Sequence, residues 1–389
     1  MKEWKTYKLS EIGQVIGGAT PSTKVASNYD GDIAWITPKD LSPLSGRYVY
    51  KGERGITEAG YKSCSCQMLP AGSILFSSRA PIGYIAIAGN ELCTNQGFKS
   101  VVPNPEIVNS HFLYYLLSYE KNRIAEMGSG TTFMEISGNV MKNIEVKLPD
   151  LSIQNKIAEI LTSLDEKIEN NKRINDNLEQ QAQALYKSWF VDFEPFKDSD
   201  FVESELGLIP DGWRCGLLSE LLAIKYGKDH KKLSDGDIPV YGSGGIMRYV
   251  DTKLYEGEAV LIPRKGSLNN VMYVNEAFWT VDTMFYSTAK ESNSGIYSYL
   301  FLTNKDLASM NAGSAVPSMT TDILNNLQLI IPPKEVLKSF NTLCFILFKR
   351  MKQNIIENIS ENKDENIGLT IRLGIRTRNT TYSYNKLAY

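Results

Sequence analysis

The chain has 389 residues, enough for two or three domains, and with 42% hydrophobic and 22% charged residues it can bury real cores. Its formal net charge of −2 excludes a free-standing polycationic nucleic-acid binder, so any such role rests on local patches or on partners. Five cysteines, Cys64, Cys66, Cys93, Cys215 and Cys344, lack paired metal-ligand spacing, and a reducing cytoplasm is the simplest setting.

The start, Met1-Lys2-Glu3-Trp4-Lys5, carries no apolar run of a secretion signal, and the most apolar stretch, Leu343 to Phe348, is far short of the roughly 18 residues of a membrane span. Residues 1–151 are expected to form a mixed domain. Ile33-Ala34-Trp35-Ile36, Ser73-Ile74-Leu75-Phe76 and Tyr84-Ile85-Ala86-Ile87 are short β-rich runs between Gly, Pro and Ser turns. His111 to Ser118 reads as a helix feeding the Gly128-Ser129-Gly130 loop. Residues 152–194 hold a long helix and a linker. Ser152 is the expected N-cap after the extended Lys147-Leu148-Pro149, and the helix runs from Ile153 to Phe190 without Gly or Pro. Ile157, Leu164, Leu178 and Leu185 fall on a seven-residue spacing, with Ile160 and Ile174 at intermediate positions and Asn171 as the polar intruder. At 1.5 Å per residue such a helix spans about 55 Å, longer than one domain core needs, and reads as a spacer.

Residues 195–334 give a second mixed domain, entered through Gly207-Leu208-Ile209-Pro210-Asp211-Gly212-Trp213. Its β-rich runs are Ile238 to Tyr241, Ala259 to Ile262 and Val271 to Val274. Residues 335–374 form a second long helix that loses its apolar pattern where Glu361 and Gly368 stand for Leu178 and Leu185. Residues 375–389 are expected to be a poorly ordered tail.

The two halves are copies. A shift of 183 lays Ile153, Ile157, Ile160 and Leu164 onto Val336, Phe340, Leu343 and Leu347, and Asn171 onto Asn354. The same shift carries Gly130-Thr131-Thr132 onto Gly313-Ser314-Ala315 and Val146-Lys147-Leu148-Pro149 onto Leu329-Ile330-Ile331-Pro332. Upstream, Gly72 and Arg79 match Gly257 and Arg264 at 185, and Leu9-Ser10-Glu11 matches Leu218-Ser219-Glu220 at 209, so the first copy carries a longer insert between about residues 20 and 70.

Catalytic templates fit poorly. Only His111 and His230 are present, and neither completes a nucleophile-histidine-acid set. Gly242-Ser243-Gly244-Gly245 lacks the Gly-Lys-Ser/Thr of a phosphate loop and reads as a turn. Pro332-Pro333 follows Ile331, without the Asn or Asp of an amino-methyltransferase motif. Pro210-Asp211 with Asp229-His230-Lys231 can be written as the acidic pattern of a metal-dependent nuclease, using Asp211, Asp229 and Lys231, but the first copy has Lys2-Glu3-Trp4 in place of Asp211-Gly212-Trp213. No metal ligands are assigned. What remains is a binding signature: cations, hydroxyls and amides, the groups that meet phosphates and base edges, at matching places in both copies. These are Arg79, Asn95, Gln96 and Lys99 in the first copy and Tyr241, Ser243, Arg264, Lys265, Ser267, Asn269 and Asn270 in the second.

The two-copy plan, Leu206 to Trp213, Tyr241 to Gly245, Arg264 to Ser267 and Gln154-Asn155-Lys156-Ile157-Ala158 together resemble the DNA specificity subunit of type I restriction-modification systems, over about residues 1 to 365. The segment Leu369 to Ile375 departs from the Leu-rich ending of that family. The resemblance implies an α+β fold with two target recognition domains separated by two long antiparallel helices that act as a ruler, in an internal pseudo-two-fold repeat. It implies a chain that binds a bipartite site on double-stranded DNA and no cofactor of its own. Catalysis then lies in two modification subunits, which use S-adenosylmethionine to methylate adenine, and in restriction subunits, which use ATP and magnesium. The alternatives are the metal-dependent nuclease and a non-catalytic protein-interaction scaffold. In an antiparallel pair, Asn171 and Asn354 are expected to meet at the crossing, hydrogen-bond each other and fix the helix register.

Overall fold

The computed structural model describes residues 4–79, 81–129, 134–310 and 318–372; the matched Gly130 to Thr132 and Gly313 to Ala315 segments and the expected tail lie outside them. Two compact units divide the chain. One runs to Asn170 and takes in the chain again from Glu357; the other spans Asn171–Ile356, so each contains a domain and half of each long helix. Among the described residues no helix is long and apolar enough to cross a membrane.

The first unit begins with β1 (Lys5–Lys8), α1 (Leu9–Ile12) and β2 (Gly13–Gly17), followed by β3 (Tyr29–Ile36), α2 (Pro38–Leu41), β4 (Tyr48–Val49), β5 (Gly55–Ile56) and α3 (Glu58–Lys62). Then come β6 (Ile74–Ser78), β7 (Ile82–Ala88), β8 (Cys93–Thr94), β9 (Lys99–Pro103), α4 (Ser110–Glu126), α5 (Gly138–Lys142), β10 (Glu145–Leu148) and the first half of α6 (Leu151–Phe190). Its main sheet has the order β2-β9-β6-β7-β4, with β5-β3-β8 and β1-β10 as smaller sheets. The expected helix at His111 is α4, which starts one residue earlier at Ser110 and is capped by Asn109, whose side chain accepts the Phe112 amide. Leu9, Phe76, Phe112, Leu116 and Val146 pack with Ile157, Ala158 and Leu161 of α6 in one core, so the domain is built onto the helix face.

The second unit holds β11 (Phe201–Ser204), β12 (Gly207–Pro210), β13 (Arg214–Leu217), α7 (Leu218–Leu221), β14 (Leu222–Tyr226), β15 (Ile238–Gly242) and β16 (Gly245–Val250). It continues with β17 (Tyr255–Pro263), β18 (Met272–Thr280), β19 (Met284–Ala289), α8 (Gly295–Thr303), α9 (Thr321–Asn325), β20 (Gln328–Ile331) and α10 (Lys334–Arg372). Its sheet has the order β14-β19-β17-β18-β15-β16. The expected linker before Gly207 is in part a β11-β12 hairpin. Polar composition concealed it, but Phe201 of the hairpin meets Phe193 edge-on at 5.9 Å, and Phe193 and Phe196 in turn pack edge-on against Trp213 at 5.5 and 4.9 Å.

Strand registers make the repeat explicit. Gly13 pairs Pro103 as Leu222 pairs Ala289, a shift of 209 on the first partner. Lys5 pairs Leu148 as Arg214 pairs Ile331, a shift of 183 on the second. In between, Ile74 faces Ile87 and Val101 as Val260 faces Tyr273 and Ser287, a shift of 186 rather than the expected 185. The identical letters at Gly72/Gly257 and Arg79/Arg264 therefore stand one residue apart in the strand ladder.

The long helices also correct the expected seam. Ile160 and Ile174 are each 41% exposed, and Ile153 is exposed as well, whereas Leu161, Ile168 and Ala182 are buried. Each intermediate position lies four residues after Ile157, Leu164 or Leu178, not three, and both spacings satisfy a seven-residue repeat. The buried face recurs at the shift of 183: Gln154, Ile157, Leu161 and Asn171 in α6, and Leu337, Phe340, Cys344 and Asn354 in α10. The segments run antiparallel within each unit, Lys167 bonding Glu361 at 2.6 Å in the first and Asn175 bonding the Met351 carbonyl at 3.2 Å in the second. The helix begins at Leu151, just before the expected cap Ser152. Gln154 anchors it: its Oε1 accepts the Asn109 amide at 3.0 Å, and its Nε2 donates to the carbonyls of Ile107 and Pro149 at 3.1 and 2.9 Å.

Candidate nucleic-acid interface

The candidate residues gather where β6 and β17 end. In the first unit the Ser78 amide donates to the Gly97 carbonyl at 2.7 Å, and the Ile136 amide donates to the Ser78 carbonyl at 2.9 Å. In the second, Arg264 donates to Thr283 at 2.9 Å and accepts from the Met319 amide at 2.9 Å. These bonds equate Ser78 with Arg264 and Arg79 with Lys265, and the bridges Arg79 to Glu135 and Lys265 to Ser318 repeat the same pairing. The expected match of Arg79 with Arg264 is therefore corrected by one residue.

Arg79 and Lys99 converge on Glu135, at 3.6 and 3.4 Å, so one carboxylate holds two cations at the strand end. Asn95 closes a turn, its Oδ1 accepting the Gly97 amide at 2.9 Å, and places Gln96 outward, where Thr20 donates to its Oε1. The structure thus brings together all four residues expected in the first copy. Sequence reasoning missed Glu135, whose signal was its place in the segment repeated at 183.

In the second unit Ser243 and Gly244 form the tight turn between β15 and β16, as the glycine run predicts. Gly266, at φ +85°, turns the chain after Lys265 in a conformation that favours glycine, and a Cβ there would lie 2.7 Å from the Ser243 Oγ, which would have to turn aside. Asn270 Nδ2 donates to the Ser243 carbonyl at 2.9 Å. Arg264 Nη1 donates to the Asp282 carbonyl at 3.2 Å, and its guanidinium lies 5.5 Å from the Tyr226 ring centre. Lys265 and Ser267 are exposed. His230, Gly242 to Met247 and Val281 to Thr283 line a cavity of about 450 Å³ beside these loops.

Two expected contacts are already engaged. Tyr241 is 9% exposed, its hydroxyl donating to Glu276 at 2.8 Å, and burial with that carboxylate nearby pushes its phenol well above the usual range. Alternation along β15 turns it inward. Asn269 donates to Asp306 at 3.1 Å and accepts the Ala308 amide at 2.9 Å, so it braces its loop.

The register pair also differs from expectation. Asn354 Nδ2 donates at 2.7 Å to Asn175, one turn beyond Asn171, while its Oδ1 accepts no bond among the described residues. Asn354 therefore meets α6 at Asn175 through this bond.

The acidic pattern dissolves into local turns: Asp229 accepts the Lys231 amide at 3.1 Å, which holds its carboxyl below the usual range. Among the described residues no group of three His, Cys, Asp or Glu side chains is placed to hold a metal. All five cysteines are free thiols, and Cys93, buried beside Cys66, is pushed up to about 11.

The family described as the type I restriction modification DNA specificity domain matches residues 1–180 and 210–363, once in each copy. The type I restriction enzyme MjaIX specificity subunit of Methanocaldococcus jannaschii is 35% identical over 383 residues, which cover 91% of this chain and 88% of the relative. The type I restriction enzyme HindI specificity subunit of Haemophilus influenzae is 24% identical, over 92% and 96% of the two chains. The crystal structure of a type I restriction-modification system S subunit from M. genitalium shares the fold, with a TM-score of 0.62 at 16% identity across 96% of this chain and 97% of that one.

Proposed function

The chain belongs to the type I restriction-modification DNA specificity family, and on that premise we propose that it is the non-catalytic subunit that reads a two-part DNA site for its partners. The observation that carries this reading is the recurrence of one strand-end loop in both units, held by the same backbone bonds and tipped by Arg79 in one copy and Lys265 in the other. Arg79, Gln96 and Lys99 face one half-site; Ser243, Arg264, Lys265, Ser267 and Asn270 face the other. Tyr241, Asn95 and Asn269 support these loops without touching DNA.

Cationic side chains at the strand ends position the phosphates, and amides and hydroxyls beside them read base edges in the groove. The acidic balance of the whole chain is offset by partners that help surround the DNA. Two modification subunits supply S-adenosylmethionine and methylate adenine; restriction subunits supply ATP- and magnesium-dependent translocation and cleavage; the complex works in the cytoplasm. Apolar residues that the long helices leave exposed, among them Ile160 and Leu343 at equivalent positions, offer the modification subunits a docking strip.

The test is copurification of the tagged chain from its host, followed by DNA titration of the recovered complex at controlled salt. Recovery with a modification subunit and selective DNA binding is expected; a chain recovered alone, without DNA selectivity, would contradict the proposal.

A further inference from the structure

The insert that lengthens the first copy carries one arginine whose side chain is 4% exposed, Arg47. It precedes β4, and its carbonyl accepts the Ile87 amide at 2.7 Å, so its backbone is fixed to β7. Its side chain turns to the long helix. Nη1 donates to the Tyr115 hydroxyl at 3.2 Å and the Thr162 carbonyl at 3.4 Å; Nε lies 3.4 Å from Asp165 and 3.5 Å from Glu169; Nη2 lies 3.9 Å from Glu166. Tyr115 in turn donates to Asp165 at 2.6 Å. One cation therefore holds three carboxylates of α6 against the domain, and without it those carboxylates repel one another at the seam.

The second unit is attached differently, through neutral donors, Tyr299 to Glu179 at 3.1 Å and Asn304 to Gln183 at 2.6 Å, and through aromatic packing. At the shift of 183 the place of Asp165 is taken by Phe348, which packs on Tyr273 and Tyr299 at ring distances of 4.8 and 5.7 Å. An aromatic contact tolerates sliding, whereas a buried guanidinium among fixed acceptors does not. The path from Arg47 to the recognition loop is short and rigid: β4 pairs with β7, β7 with β6, and β6 ends at Ser78, next to Arg79.

We propose that Arg47 is a positioning residue, a polar lock that fixes the angle of the first recognition domain on the long helix and so sets which gap between half-sites the protein accepts. This rests on the proposed DNA-specificity function. The test uses the full chain with its modification subunits, selecting DNA from a library that randomises both half-sites and the gap between them. Wild type is expected to select two blocks at one gap length. Arg47→Met should keep both blocks but spread over neighbouring gaps, its preference for the native gap over one longer by a base pair falling at least about tenfold, the ratio that about 1.4 kcal/mol represents. Arg47→Lys, which keeps the charge and loses the fork, should restore part of it. Should Arg47→Met fail to fold, Glu169→Gln, at the half-exposed edge of the cluster, is expected to broaden the gap in the same direction. Unchanged gap preference in the folded variants, or an equal loss of affinity at every gap, overturns the proposal. Wild-type complex that selects no two-part site sinks the proposed function instead.

Discussion

Replacing Asn354 by leucine is expected to stabilise the second unit while loosening its choice of DNA spacing. Asn354 is fully buried, its Nδ2 bonded to Asn175 and its Oδ1 accepting nothing among the described residues. Removing that unmatched carbonyl relieves about 1–3 kcal/mol, and loss of the bond to Asn175 costs about 0.5–1.5 kcal/mol. Leucine adds about 1 kcal/mol through apolar burial. The net gain is about 2 kcal/mol, which for a unit the size of Asn171–Ile356 raises the unfolding midpoint by about 4–8 °C. The functional cost is register. A slip of one heptad moves a helix by about 10 Å, or about three base pairs. Asn171→Leu, at the equivalent position, should act in the same direction. Thermal unfolding followed by circular dichroism and gap-randomised DNA selection check the two halves. A lowered midpoint would refute the burial reasoning, and a raised midpoint with an unchanged gap would show that the apolar seam alone holds register.

Lys265→Ala and Arg79→Ala should each weaken DNA binding by the assembled complex; a cation on phosphate lowers the salt slope by about one, and loss of a bidentate base contact costs about 1–3 kcal/mol and relaxes one position of the site. Affinity and salt slope both unchanged would remove these residues from the interface. Phe340→Ala, which empties a buried site against Phe190 at 4.7 Å, should destabilise the second unit by about 3–5 kcal/mol, read as a shifted denaturation midpoint. His111 accepts or donates at 2.6 Å to the Tyr48 hydroxyl, and burial, then the Arg47 charge, holds its imidazole below the usual range. The unfolded state therefore binds more protons, so stability should fall as pH drops below about 6.5 and through the lower folded value; His111→Gln should flatten that part of the profile, measured by chemical denaturation. The purified chain alone should neither cut nor methylate DNA, and metal-dependent cleavage abolished by Asp229→Asn would restore the nuclease reading.

The repeat was legible because helix faces and strand ends constrain residue type at fixed spacing: the shifts of 183 and 209 follow from Asn171, the Pro149 and Pro332 strand ends and the Leu9 and Leu218 turns. The intermediate shift was one residue out because Arg79 and Arg264 share a letter but not a place in the ladder. Seam phase was half legible, since Ile160 and Leu161 are both apolar and only packing against a partner decides between them. Arg47 could not have been found: its partners lie 68 and 115 or more residues away, and an arginine in a Gly- and Ser-rich insert has the local signature of a solvated loop. Tyr241 misled for the converse reason, its neighbouring glycines marking a loop while the residue itself lies within a strand.

The most direct measurement is base-resolution mapping of methylated adenine in a host without other adenine methyltransferases, carrying the modification subunit with or without this chain. The expected result is one bipartite motif, two specific blocks at a fixed gap, present only with the chain, and altered in one block by Arg79→Ala and in the other by Lys265→Ala. Methylation at the same sites without the chain, or a single uninterrupted motif, would contradict a subunit that reads DNA through two recognition domains.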